Sequence, residues 1–116
     1  ILELIKEGKI SGFTSQTVLG EVQRNIVKKI PQRTADYSYF IENNKATVLD
    51  HPNSRDVSHW HNVIELKDAH VLASATKSNA DYLVTLDRKH FILPQVQKAV
   101  SFKIATPKEL IEQLTR

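Results

Sequence analysis

Asn79-Ala80-Asp81-Tyr82-Leu83-Val84-Thr85-Leu86-Asp87 packs aromatic, aliphatic and β-branched residues into a short run with polar residues on both sides. That pattern predicts a strand over Tyr82 to Leu86 with Asp87 at its exit. Directly upstream, Lys67 to Ser78 reads as a helix, with small packing residues at Ala69, Ala73 and Ala75 and with Asn79 as its terminator. A helix feeding a strand is half of a crossover unit, so the rest of the chain decides whether a parallel sheet can form.

Moving outward, the alternation continues. Ile1 to Lys6 reads as an amphipathic helix stopped by Gly8, where a left-handed cap suits glycine. Ile10 to Thr14 is a strand candidate. Ser15 is placed to cap the next helix, in which Leu19, Val22, Ile26 and Ile30 recur at three- and four-residue spacing until Pro31. Thr34 to Asn43 predicts another helix, Asn43-Asn44 a turn, and Ala46 to Leu49 a strand. Ser54 is read as the cap of a weak helical segment through Trp60. Beyond the opening stretch come a short helix around Gln95 to Ala99, a strand from Ser101 to Ile104, and a last helix begun by Thr106-Pro107. Strands alternating with helices predict an α/β fold with a mainly parallel sheet, in which ligands gather beyond the carboxyl ends of the strands.

Bulk properties bound the function. With 116 residues, 41% of them hydrophobic, the chain is expected to form a single domain, 1–116, with one core. No apolar run approaches the ~18 residues of a membrane span, so a soluble protein without membrane association is expected. Cysteine is absent, which removes disulfides and thiolate metal sites and makes the cytoplasm the default location. A net charge of +3 is compatible with a polyanionic partner but does not by itself identify one.

Three acids fall where chemistry could use them. Asp68 lies at the start of its helix, in line with Val71, Leu72 and Ala75, the stripe that must face the core. A carboxylate aligned with buried side chains needs hydrogen bonds, a helix N-terminus or a cation to stay ionised. The macrodipole alone is the alternative explanation for it. Asp87 shares a strand face with Thr85, an arrangement able to hold a hydrated cation, although Asp-Arg-Lys after a strand is also ordinary Asx-turn chemistry. Glu21 sits at the border of its helix's apolar face, where it either points into a cleft or is simply solvated. Taken together, three acids from three segments suit Mg²⁺ or Mn²⁺, hard cations that prefer carboxylate and water oxygens and that offset charge in phosphoryl transfer.

The stretch Lys67-Asp68-Ala69-His70-Val71-Leu72-Ala73-Ser74-Ala75, followed by Asn79 to Asp87 and Phe91, resembles the PIN domain family. Upstream, Ser15-Gln16-Thr17-Val18-Leu19-Gly20-Glu21-Val22 is similar to the family's segment in which a serine opens a helix carrying an acidic ligand. Downstream, Ala105-Thr106-Pro107-Lys108-Glu109-Leu110 resembles its last strand and helix. The resemblance implies a three-layer α/β/α fold, binding of one or two Mg²⁺ or Mn²⁺ ions, and endoribonuclease activity of the kind found in toxins of bacterial toxin–antitoxin pairs. It implies Glu21, Asp68 and Asp87 as metal ligands and catalytic residues, with Thr85 as the supporting hydroxyl. RNA is the implied substrate, and an antitoxin-like protein partner and a homodimer are the implied associations. The chain departs from the family in one respect: no strand precedes the Ile1 helix to bring the family's first acidic ligand. A truncated domain, weakly active or inactive as it stands, is the resulting expectation.

Other residues carry weaker signals. Arg88 and Lys89, beside Asp87, are the basic residues best placed for a phosphate backbone; Arg24, Lys28, Lys29 and Arg33 flank the Glu21 helix. His51, His59, His61 and His70 lack the helical spacing and cysteine partners of a zinc site. Trp60 is expected to anchor a core or an interface rather than to stack on a base. The rival to a nuclease is a catalytically degenerate PIN-like scaffold that binds protein or nucleic acid. A phospho-receiver-like domain is disfavoured because no adjacent acidic pair ends a first strand.

Overall fold

The computed structural model describes residues 2–43 and 46–115. The chain falls into two compact units, Ile1–His51 and Pro52–Arg116, each described by itself.

In the N-terminal unit, helix α1 (Leu2–Lys6) ends at Gly8, whose φ of 77° realises the left-handed cap expected there. The cap runs further than the sequence indicates. The N–H groups of Lys9 and Ile10 both donate to the Leu4 carbonyl, at 2.9 and 3.4 Å, so residues 8–10 finish the helix instead of starting a strand. Strand β1 is therefore Phe13–Ser15, shifted from the predicted Ile10 to Thr14. Helix α2 (Gln16–Lys29) begins at once, with the Ser15 hydroxyl accepting from the Val18 N–H at 3.1 Å as the N-cap. A 3₁₀ turn over Pro31–Arg33 leads into α3 (Thr34–Asn43), which has the predicted bounds. The Tyr37 hydroxyl donates to the Leu19 carbonyl and ties α3 to α2; its partial burial raises its pKa. Strand β2 (Thr47–Leu49) lies parallel to β1, with Phe13 opposite Thr47 and Ser15 opposite Leu49. Asn44 of the predicted turn lies outside the described residues, as does Ile1 of the first helix.

The C-terminal unit contains the hydrophobic core. Helix α4 (Ser54–Ser58) is capped by Asn53, whose side chain accepts from the Asp56 N–H at 2.8 Å. Both Asn53 and Ser54 are good cap residues, and the one with extended backbone takes the role, which corrects the expectation for Ser54. Helix α5 (Leu66–Lys77) follows one residue ahead of its predicted bounds and stops at Asn79, which adopts a left-handed φ of 54°. Ala69, Leu72, Ala73 and Ala75 from α5 pack with Trp60, Ile64, Phe91, Val96 and Phe102. Trp60 is thus a core anchor, 7% exposed, and forms a T-shaped ring pair with His59.

Strand β3 is Tyr82–Val84, two residues shorter than predicted, and pairs in parallel with β4 (Lys103–Ala105). Its extent is set by its partner: Thr85 donates one further hydrogen bond to Ala105, after which the chain turns away and Leu86 is left 85% exposed. Between the two strands lie α6 (Arg88–Phe91), which the sequence reading had not resolved, and α7 (Pro94–Ala99). Helix α8 (Pro107–Leu114) opens with a full capping box: the Thr106 hydroxyl accepts from the Glu109 N–H, and the Glu109 carboxylate accepts from the Thr106 N–H.

Every strand pair among the described residues is parallel, in two two-stranded sheets, and helices fill each crossover. The α/β class follows. No helix among the described residues is long and apolar enough to cross a membrane.

The capping box makes one prediction for stability. Thr106 is buried, and its replacement by alanine should cost about 1 kcal/mol, within the usual ~0.5–2 kcal/mol for a lost cap. The carboxyl of Glu109 is held below its ordinary 4.5, first by the Thr106 N–H and then by the Thr106 hydroxyl, with the Arg88 charge a smaller cause. Because the folded value is the lower one, this stabilisation is complete above the ordinary value and fades as the pH drops through the folded value. Thermal unfolding followed between about pH 6 and about pH 3 should therefore show a shallower acid loss in Glu109→Gln than in the parent chain.

Candidate functional site

The geometry is best developed around Asp87. Beyond the end of β3, the Thr85 hydroxyl accepts a hydrogen bond from the Asp87 N–H at 3.0 Å, closing a tight turn. Asp87 then caps α6: its Oδ1 accepts from the His90 N–H at 3.0 Å. The His90 ring folds back onto the same carboxylate, with Nδ1 at 3.1 Å from Oδ1 and 2.9 Å from Oδ2. These contacts depress the Asp87 pKa from its ordinary 3.8. The side-chain hydrogen bond from His90 is the largest cause, ahead of the opposing desolvation; the His90 N–H and the charges of His90 and Lys67 add to the lowering. Asp87 is accordingly an anion at neutral pH. Of the two sequence readings of this residue, the Asx-type turn is realised as a helix cap; the carboxylate that the other reading would use stands half-buried beyond the strand's carboxyl end.

Asp68 occupies the first turn of α5, on a helix whose N-cap residue Glu65 makes no side-chain capping bond. Its N–H donates to the Glu65 carbonyl at 2.9 Å. Its Oδ2 is buried and has no hydrogen-bond partner. Buried polar atoms nearly always find partners, and an orphaned carboxylate oxygen is the more costly kind. The next residues on the core stripe behave as expected, with Leu72 fully buried and Ala75 at 9%. Lys67, beside Asp68, carries a charge that reaches Asp87 and also pairs with Glu65 at 3.6 Å, so the start of α5 and the Asp87 turn share one electrostatic neighbourhood.

Glu21 belongs to the N-terminal unit. It lies in α2, which springs directly from the carboxyl end of β1, and is half-buried. In the same unit Thr17, on the first turn of α2, hydrogen-bonds His51 in the segment following β2. Of the basic pair, Arg88 is exposed and engages Glu109 at 3.4 Å, while Lys89 is exposed on the same short helix. An exposed ion pair of that length is weak and can be exchanged for a phosphate.

Among the described residues, no three His, Asp or Glu side chains stand close enough to hold a cation by themselves. Mg²⁺, however, commonly takes only one or two protein carboxylates and fills the rest of its octahedron with water and substrate oxygens. In donor type, the carboxylates of the C-terminal unit suit such an ion: an orphaned oxygen on Asp68, an ionised carboxylate on Asp87 and no cysteine to favour a softer metal.

His90 was missed by the sequence reading, which weighed the other four histidines for zinc. The signal was present as Asp87-Arg88-Lys89-His90, an acid three residues before a histidine where a helix begins. Glu109 was likewise legible in Thr106-Pro107-Lys108-Glu109, the spacing of a capping box.

No curated protein and no solved structure matches the chain. A family model described as PIN domain does match, over residues 1–89, more than half of the sequence; the chain belongs to the PIN domain family.

Proposed function

We propose that this chain carries the metal-binding carboxylates of a toxin-type PIN endoribonuclease that cleaves RNA with Mg²⁺ or Mn²⁺. PIN domains are in general nucleases that act on nucleic acid and depend on divalent metal. The observation that carries the reading here is the buried, partnerless Oδ2 of Asp68 in a helix of that family's pattern. An oxygen so placed costs the fold stability unless a cation completes it.

Within this reading each residue has a task. Asp68 and Asp87, both in the C-terminal unit, hold the cation, and Glu21 is the acid that the family resemblance assigns to α2. Thr85 fixes the Asp87 backbone, and thereby the carboxylate, through the turn its hydroxyl closes. Arg88 and Lys89 meet the phosphates flanking the scissile bond and set the register of the strand. A bound divalent ion supplies neutralisation of charge on the scissile phosphate and a water that is easier to deprotonate. A partner of the antitoxin kind would act by covering these acids, and a homodimer is the assembly in which the domain would operate.

The rival reading is a scaffold that binds without cleaving; it is favoured by the want of a three-residue metal cluster among the described residues. One experiment separates the two. Full-length protein is incubated with single-stranded RNA and Mn²⁺, with and without chelator, alongside Asp68→Asn and Asp87→Asn. Metal-dependent cleavage lost in both variants supports the nuclease. Binding of RNA without cleavage in any of them identifies the scaffold.

A further inference from the structure

The position of the His90 ring has a consequence for which cation the site accepts. Nδ1 is nearly equidistant from the two oxygens of Asp87, at 2.9 and 3.1 Å. It therefore sits in front of both, in the place a cation chelated by the carboxylate would take. The outer lone pairs of the oxygens point elsewhere. With Nδ1 protonated, a neutral imidazole donates into this position, so no charge on the ring is required for the block.

We infer that His90 is a positioning residue that keeps Asp87 a one-oxygen ligand and so selects Mg²⁺ or Mn²⁺ over Ca²⁺. The chemistry follows from the two kinds of ion. Ca²⁺ takes six to eight oxygens in flexible geometry and readily accepts both oxygens of a carboxylate. Mg²⁺ demands a near-ideal octahedron and binds carboxylates through single oxygens. A hydrogen-bond donor held across both oxygens penalises the first mode and leaves the second open. The ring is 28% exposed and stands on α6, the helix that the same aspartate caps, so ring and carboxylate are tied to one turn of chain. The His90 N–H bond to Oδ1 does not depend on the side chain, so a smaller residue at 90 keeps the cap while clearing the chelating position.

This inference rests on Asp87 being a metal ligand, and the test distinguishes failure of that reading from failure of this one. Mn²⁺ and Ca²⁺ affinities are measured calorimetrically at neutral pH on the full chain, on His90→Ala, on His90→Asn and on Asp87→Asn. His90→Ala should gain Ca²⁺ affinity relative to Mn²⁺ on the order of tenfold, the scale on which outer hydrogen-bond partners tune metal sites. His90→Asn, whose amide N–H can stand near the position of Nδ1, should restore the parent preference. A histidine with only a structural role would weaken both ions alike when removed. Mn²⁺ binding that needs Asp87 but shows the same ion ratio in all position-90 variants overturns the role of His90 alone. Mn²⁺ binding that is absent, or unaffected by Asp87→Asn, overturns the ligand reading and this inference with it.

Discussion

Leu72→Ala is expected to lower the stability of the Pro52–Arg116 unit by about 2–5 kcal/mol, the range for emptying a fully buried leucine site. Leu72 is completely buried at the centre of the cluster formed by α5 with Trp60, Phe91, Val96 and Phe102. The other buried apolar residues of the helix, Ala69, Ala73 and Ala75, cannot swing into a void, so relaxation is limited and the upper half of the range applies. Trp60 lies in the same cluster and is the chain's single tryptophan, so its fluorescence reports on this core. Urea unfolding followed at Trp60 should show an earlier midpoint with unchanged slope. Val48→Ala, at a position 46% exposed in the other unit, should leave that transition within about 0.5 kcal/mol. Equal midpoints for Leu72→Ala and the parent chain would mean that the cluster does not govern the folding of this unit.

The helices were more legible than the strands, for a physical reason. A helix signals its own ends: Ser15, Gly8, Asn79 and Thr106 act on backbone groups within a few residues, so α3 matched its predicted bounds and α5 moved by one residue. A strand ends where its partner ends. Nothing in Tyr82 to Leu86 says that β4 offers only Lys103–Ala105, and nothing in Ile10 says that α1 will claim its N–H. The same non-locality explains the exposed apolar positions of α2, where Val22 is 39% and Ile30 45% exposed although their periodicity marks an apolar face. Periodicity shows which side of a helix is apolar, not how much of it becomes covered.

The site was legible to the extent that each residue's place depended on local chemistry. Asp68 at a helix start and Asp87 at a strand exit stand where spacing put them. The partners were less legible. His90 reaches Asp87 because the chain leaves β3 into a single helical turn, which the Asp87 to His90 spacing signals only weakly. Arg88, read as a phosphate contact, also has a carboxylate neighbour in Glu109, twenty-one residues along, which no local rule brings into reach.

Asp68→Asn should separate function from stability, in the opposite sense to Leu72→Ala one turn further along the same helix. The orphaned carboxylate oxygen costs the fold on the order of 1–3 kcal/mol, while a negative charge in the first helical turn returns about 0.3–1 kcal/mol. Asparagine keeps the shape, gives up the charge and leaves one polar group to be satisfied. The two effects nearly offset, so the Trp60 unfolding midpoint should move by no more than about 1 kcal/mol in either direction. Mn²⁺-dependent RNA cleavage, by contrast, should fall on the order of 100-fold or more, at least what the loss of a supporting partner costs a metal site. Mn²⁺ affinity should fall with it. A loss of several kcal/mol in the variant would make Asp68 a structural acid, and full cleavage activity would remove it from the metal site. Unchanged stability together with lost Mn²⁺ affinity is the outcome that the proposed ligand role requires, because a buried carboxylate oxygen without a hydrogen-bond partner gains stabilisation from a bound cation beyond what the helix N-terminus supplies.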